Sequence, residues 1–165
     1  MGRHKEVSSA IVSRNLGRRA KPNMHILPKN YIVGLTDGEG SFCVFIRKPK
    51  KKSWNARIEC HYYIKMREDE LPLLKTIKDS FDCGRISFQK EYRKNQRDNY
   101  RYQVSNLNDL TKIIIPFFTK NTLRSTPRKN DFLFFSRIVK MVLRKKHQTV
   151  KGLKKILQYK SRMHT

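Results

Sequence analysis

The chain has 165 residues, 38% of them hydrophobic with nine Phe and seven Tyr, and sets 38 Lys and Arg against 13 Asp and Glu for a formal net charge of +25. That is enough apolar side chain for one domain with a core, while no apolar run approaches the ~18 residues of a membrane-spanning helix. Positive charge of this size opposes compaction until a polyanion neutralises it, so nucleic acid is the expected partner and a membrane is not.

Residues 1–27 read as a basic N-terminal extension, rich in Arg, Lys and Ser and without the apolar stretch of a secretory signal. Residues 28–165 read as a single domain. It opens with Pro28 and NYIVGLTDG, a short helix with Ile32, Val33 and Leu35 as its apolar content. Ser41 to Lys48 changes to an apolar, β-branched strand, ended by the PKKKS turn. Arg57 to Arg67 alternates almost perfectly: Ile58, Cys60, Tyr62, Ile64 and Met66 share one face, and Arg57, Glu59, His61, Tyr63, Lys65 and Arg67 the other. A helix follows from Asp69 to Phe81, with Leu71, Leu74, Ile77 and Phe81 at helical spacing.

After Cys83-Gly84 come two more strands, Arg85 to Gln89 and Tyr100 to Ser105. Their apolar face is Ile86, Phe88, Tyr102 and Val104, and their polar face includes Arg85, Ser87, Gln89, Arg101 and Gln103. Helices over Leu107 to Phe118, Pro127 to Arg144 and Thr149 to Met163 complete the chain. The order predicts an α+β fold in which four antiparallel strands pack one face on helices and present the other, almost wholly cationic and polar, outward. Cys43, Cys60 and Cys83 are odd in number and form no CxxC pair, which argues against a zinc site or a disulfide framework and for a reducing, intracellular setting. His4, His25, His147 and His164 lie in charged or terminal segments with no metal-ligand spacing and carry no assigned chemistry.

The stretch GLTDGEGSF, from Gly34 to Phe42, is the anomaly. Asp37 and Glu39 lie at the C-terminal end of the first helix, where the macrodipole disfavours anions, and Gly34 inside it costs roughly 1 kcal/mol relative to Ala. Two local penalties point to a use elsewhere. A mid-helix glycine lets another backbone come close, and carboxylates beside a helix-terminal carbonyl make a hard-oxygen site of the kind Mg²⁺ prefers. The alternative is a helix ending in a glycine turn with both acids solvated.

IVGLTDGEG, from Ile32 to Gly40, resembles the nine-residue signature of the LAGLIDADG homing endonucleases, and the resemblance continues through Ser41-Phe42, Cys83-Gly84-Arg85-Ile86, Ile115-Pro116-Phe117-Phe118, Asp131-Phe132 and the terminal GLKKILQYKSRM. It implies an αββαββα core with a saddle-shaped antiparallel sheet on DNA, followed by C-terminal helices. The signature occurs once here, so the resemblance implies a homodimer whose two signature helices meet along Ile32, Gly34 and Leu35, reading a partly palindromic double-stranded site in an organelle (mitochondrion or chloroplast) or a prokaryotic cytoplasm.

Carried over by position, Glu39 is the metal ligand, the Gly38 carbonyl assists, and Mg²⁺ supports hydrolysis of both strands. Asp37 is placed in the same catalytic group, with bracing of the helix interface as its preferred part. Arg128 and Lys129 stand where the family places a basic residue near the scissile phosphate, and plain phosphate binding is the alternative. Met66 stands where many relatives carry a water-holding Gln. Lys65 or Arg67 is the candidate substitute.

A two-stranded ribbon fits the major groove, where Arg pairs with guanine and Gln with adenine. The readers on the outward face are therefore Arg47, Arg57, Glu59, His61, Tyr63, Lys65, Arg67, Arg85, Ser87, Gln89, Arg101 and Gln103, with Lys48 and Lys50 anchoring the backbone at the hairpin tip. The competing expectation is a non-cleaving relative: a maturase-like intron RNA-splicing factor or a DNA-binding repressor.

Overall fold

The computed structural model describes residues 26–47, 56–92 and 97–164. The expectations for Lys48, Lys50 and residues 1–25 fall outside them.

Helix α1 (Lys29–Glu39) follows Pro28, whose missing N–H is no loss where the first turn leaves donors unpaired anyway. It buries Ile32, Val33 and Thr36, and the Thr36 hydroxyl meets the Tyr62 hydroxyl at 2.9 Å inside the core. Strand β1 (Gly40–Arg47) starts with no loop between, one residue earlier than expected. Only glycine permits that turn, because a Cβ at Gly40 would lie 2.6 Å from the Thr36 methyl.

With β2 (Arg57–Arg67), β3 (Arg85–Gln89) and β4 (Asn99–Val104), β1 forms an antiparallel sheet of order β1-β2-β4-β3. β2 has the expected bounds and alternation, with Ile58, Cys60, Tyr62 and Ile64 all buried. Burial pushes the Cys60 thiol up to about 12, which leaves it an inert core side chain. β4 begins one residue early because Asn99 pairs with Arg67, and Ser105 falls outside it. Phe88, expected on the packed face, is 48% exposed, since β3 is an edge strand with little helix over it.

A 3₁₀ turn, Glu68–Glu70, precedes α2 (Leu71–Phe81), whose start is set by Pro72 in its first turn rather than by Asp69. Asn106 caps the next helix through its side-chain oxygen, which accepts from the N–H of Asn108 at 2.8 Å. That helix is not uniform: α3 (Leu107–Asp109) widens into a π-turn over Leu110–Ile114 and continues as α4 (Ile115–Lys120). The widening lies just ahead of Pro116, whose ring would clash with the carbonyl of residue 112 in a regular helix.

Helices α5 (Thr126–Leu143) and α6 (Val150–Lys160) close the layer. α6 ends short of Met163 because the tail turns back onto α5. Phe42 is the centre of the core, with the rings of Tyr62, Phe118, Phe132 and Phe135 all 5.2–5.5 Å away. Truncating such a fully buried Phe costs about 3–5 kcal/mol. Among the described residues every helix thus lies on one side of the sheet, and the opposite face is left open except where His164 of the tail comes within 4.0 Å of Cys43 on β1.

Candidate nucleic-acid interface and acidic centre

The pairing register sets the outward side chains in rows across the sheet. Ser41, Tyr63, Gln103 and Arg85 form one row; Lys65, Arg101 and Ser87 the next; Arg67, Asn99 and Gln89 the last. Toward the other end, His61 lies opposite Cys43, Glu59 opposite Phe45, and Arg57 opposite Arg47. The Arg101 guanidinium lies 4.6 Å from the Tyr63 ring centroid, and its Nε is buried with no hydrogen-bond partner. Gln103 is only 8% exposed, so its row neighbours screen the amide expected to face outward.

Glu59, the one acid among these outward strand residues, is clamped. Its two oxygens take the Nε of Arg47 and of Arg57, both at 3.1 Å. Arg67 is half-neutralised by Asp69 at 2.7 Å. Burial holds the His61 imidazole below its ordinary value; Glu59 opposes the shift, and Arg85, Arg101 and Arg47 add to it.

Glu39, at the last position of α1, is exposed and makes no hydrogen bond or ion pair among the described residues. It lines a depression of about 300 Å³ together with Lys65, Met66, Arg67, Glu70 and Asn99. Two of these, Glu70 and Asn99, were missed by the sequence reading: Asn99 through the late strand start, Glu70 because nothing local ties it to Glu39. Glu39 and Glu70 are hard oxygen donors of the kind Mg²⁺ takes, so the residues fit such an ion. Among the described residues no group of three or more His, Cys, Asp or Glu is assembled for a metal.

Asp37, one position from Gly38, is otherwise engaged. Its carboxylate accepts from the backbone N–H of Arg124 at 2.8 Å and of Ser125 at 3.2 Å, which ties the end of α1 to the start of α5. Both oxygens serve that brace, a bracing part like the one preferred for Asp37 from the sequence, here made to the segment before α5. One turn into α5, Arg128 is 23% exposed, 3.8 Å from the buried Asp131, with a buried and unpartnered Nε. Lys129 beside it is exposed.

On α1, Gly34 is exposed and an added Cβ there meets nothing within 4 Å. It borders a depression of about 440 Å³ that Asn30, Lys120 and Arg124 also line. Leu35 is half-buried. Ile32, expected on the same contact surface, is 2% exposed and packs inward, because in a helix it sits with Val33 and Thr36 on the sheet-facing side.

Residues 32–139 match the family described as LAGLIDADG endonuclease. The chain belongs to the LAGLIDADG endonuclease family. Among curated members it is 37% identical over 141 residues to "Probable intron-encoded endonuclease 2" of Neurospora crassa, covering 84% of this chain and 29% of that protein. It is 31% identical over 122 residues to "Probable intron-encoded DNA endonuclease 1" of Mycosarcoma maydis, covering 74% of this chain and 40% of the other. The chain therefore spans well under half the length of these LAGLIDADG relatives. Among solved LAGLIDADG structures, the homing endonuclease I-TnaI superposes with a TM-score of 0.73 at 30% identity, over 85% of this chain and 90% of that one. I-SmaMI bound to cleaved DNA superposes at 0.74 and 31% identity, over 84% of this chain and 44% of the other. The α+β arrangement described above is thus the LAGLIDADG homing endonuclease fold.

Proposed function

We propose that this chain is one unit of a site-specific homing endonuclease, a homodimer that makes a Mg²⁺-dependent double-strand break by phosphodiester hydrolysis in a long, partly palindromic DNA site. The observation that carries the reading is Glu39: an exposed, unpaired carboxylate beside Lys65 at the rim of an otherwise cationic strand face.

In this reading duplex DNA lies on the open face of the sheet. The eleven residues of β2 extend on the order of 35 Å, the rise of about ten base pairs, so two units span on the order of twenty. Phosphates recruit Arg57, Arg67 and Arg85, while Arg101 is held flat by Tyr63 and presented to base edges. The α1 helices of two copies pack at Gly34, where absence of a side chain lets the backbones approach, and each delivers Glu39 to the centre. Glu39, with the Gly38 carbonyl, would hold Mg²⁺, whose chemistry when bound is Lewis-acid polarisation of the scissile phosphate and a lowered pKa for water. Arg128, with an unsatisfied Nε at the start of α5, stabilises negative charge developing on the phosphate, and Lys65 positions the same group.

One observation favours a second reading. Met66 lines the depression beside Glu39, and a thioether is a weak acceptor that holds water poorly. A non-cleaving binder of DNA or intron RNA would keep the strand face and tolerate Met66. The readings separate in one selection: retain duplexes from a randomised pool on the protein, add Mg²⁺, and sequence the cut ends. Breaks inside a two-fold symmetric motif support the endonuclease. Retention without breaks supports the binder.

A further inference from the structure

A groove between α5 and α6, about 630 Å³ in volume, lies in the helical layer and so on the side of the sheet away from the strand face. Arg137 and Lys140 of α5, with Arg144 just past its end, form one wall. Lys146, Lys151 and Lys155 form the other, and Met141, Gly152 and Tyr159 also line the groove. From Phe132 to Thr165 the sequence holds ten Lys and Arg and no Asp or Glu, so nothing within this stretch neutralises the walls. Nothing in the reading of the strand face uses these residues.

The geometry points to a second nucleic-acid site in this groove, one that takes a single strand. Arg137, Lys140 and Arg144 recur at spacings of three and four residues and Lys151 and Lys155 at four, about one helical pitch of 5.4 Å, and so follow successive phosphates along a strand. Between them lies the half-buried Tyr159 ring, packed on Phe134 at 5.8 Å and covered by the Lys155 ammonium at 5.0 Å and the Arg137 guanidinium at 5.6 Å from its centroid; an unpaired base reaches it when the exposed Lys155 swings onto a phosphate. A duplex gains nothing from the ring, because its bases are already paired and stacked on one another. The groove's construction is local. A Cβ at Gly152 would lie 1.9 Å from the Lys146 carbonyl, so glycine is what lets α6 seat against the turn that closes the groove. The inference is independent of cleavage and of the strand face.

The test uses the full chain and fluorescein-labelled twelve-nucleotide RNA and DNA single strands, read by anisotropy beside a labelled duplex of mixed sequence. Lys151 and Lys155 are exposed, so Lys151→Glu/Lys155→Glu leaves the fold intact, which an unchanged melting temperature verifies. Expected is about tenfold weaker single-strand binding with a shallower salt dependence and duplex affinity within about twofold of wild type. Arg57→Ala/Arg101→Ala on the strand face should do the reverse. Equal weakening of strand and duplex by the groove variant, or no change in either, overturns the proposal. So does displacement of the strand by polyglutamate of equal charge, which would make the groove an acidic-peptide site.

Discussion

The carboxylate of Asp131 holds His164 twice, through the backbone N–H at 2.7 Å and through ring Nδ1 at 3.0 Å. The tail that follows α6 is thereby pinned to the first turns of α5, with His164 Nε2 4.0 Å from Cys43 on β1. Arg128 Nη1 lies 3.8 Å from Oδ2, the same carboxylate oxygen that takes the His164 ring. Asp131→Ala removes a buried acceptor of charged hydrogen bonds and should cost about 2–3 kcal/mol in urea unfolding. A loss below about 0.5 kcal/mol would show that the tail is not held there.

Gly34→Ala separates the fold of one chain from its pairing. Because a Cβ at Gly34 meets open space within the chain, the substitution should raise monomer stability by about 0.5–1 kcal/mol through helix propensity alone. The same methyl would stand between two α1 helices. Sedimentation should therefore show wild-type chain pairing on duplex DNA and Gly34→Ala remaining a monomer; pairing of both would place the contact elsewhere.

Glu59→Ala frees Arg47 and Arg57 and removes the one carboxylate among the described outward strand residues. Affinity for mixed-sequence duplex should rise several-fold with a salt slope steeper by about one, since more phosphates are neutralised. Weaker binding in fluorescence titrations across salt would mean that Glu59 itself contacts DNA.

The strands were legible because alternation is local. β2 could be read residue by residue from Arg57 to Arg67, and the bounds of β3 followed from Cys83-Gly84. The signature helix was equally plain. What escaped was nonlocal: Asp37 bonds to residues 87 and 88 positions later, and Asp131 to one 33 positions later. No periodicity marks such partners, which is why the sequence assigns His164 no role and leaves the partners of the Asp37 brace unnamed. Ile32 was put on the contact surface because the signature names a segment, whereas the helical period, once its phase is fixed by Val33 and Thr36, turns that side chain into the core.

Acid should weaken the fold through histidine. Burial holds His61 and His147 below the ordinary 6.5, so the unfolded chain takes up protons at a higher pH than the folded one. Stability from these groups is complete above about pH 6.5 and is lost as pH falls below it. The urea midpoint should drop between pH 7.5 and 5.5, and His61→Gln/His147→Gln should flatten that drop. An unchanged slope in the double variant would assign the acid sensitivity to other groups.

In the proposed function, scission depends on the exposed, unpaired Glu39 carboxylate. The direct measurement compares wild type and Glu39→Gln on a duplex selected by the protein itself, following binding by anisotropy and strand scission after Mg²⁺ addition. Affinity within about threefold and scission slowed at least about a hundredfold are expected of the variant. Scission by Glu39→Gln at the wild-type rate would contradict that dependence.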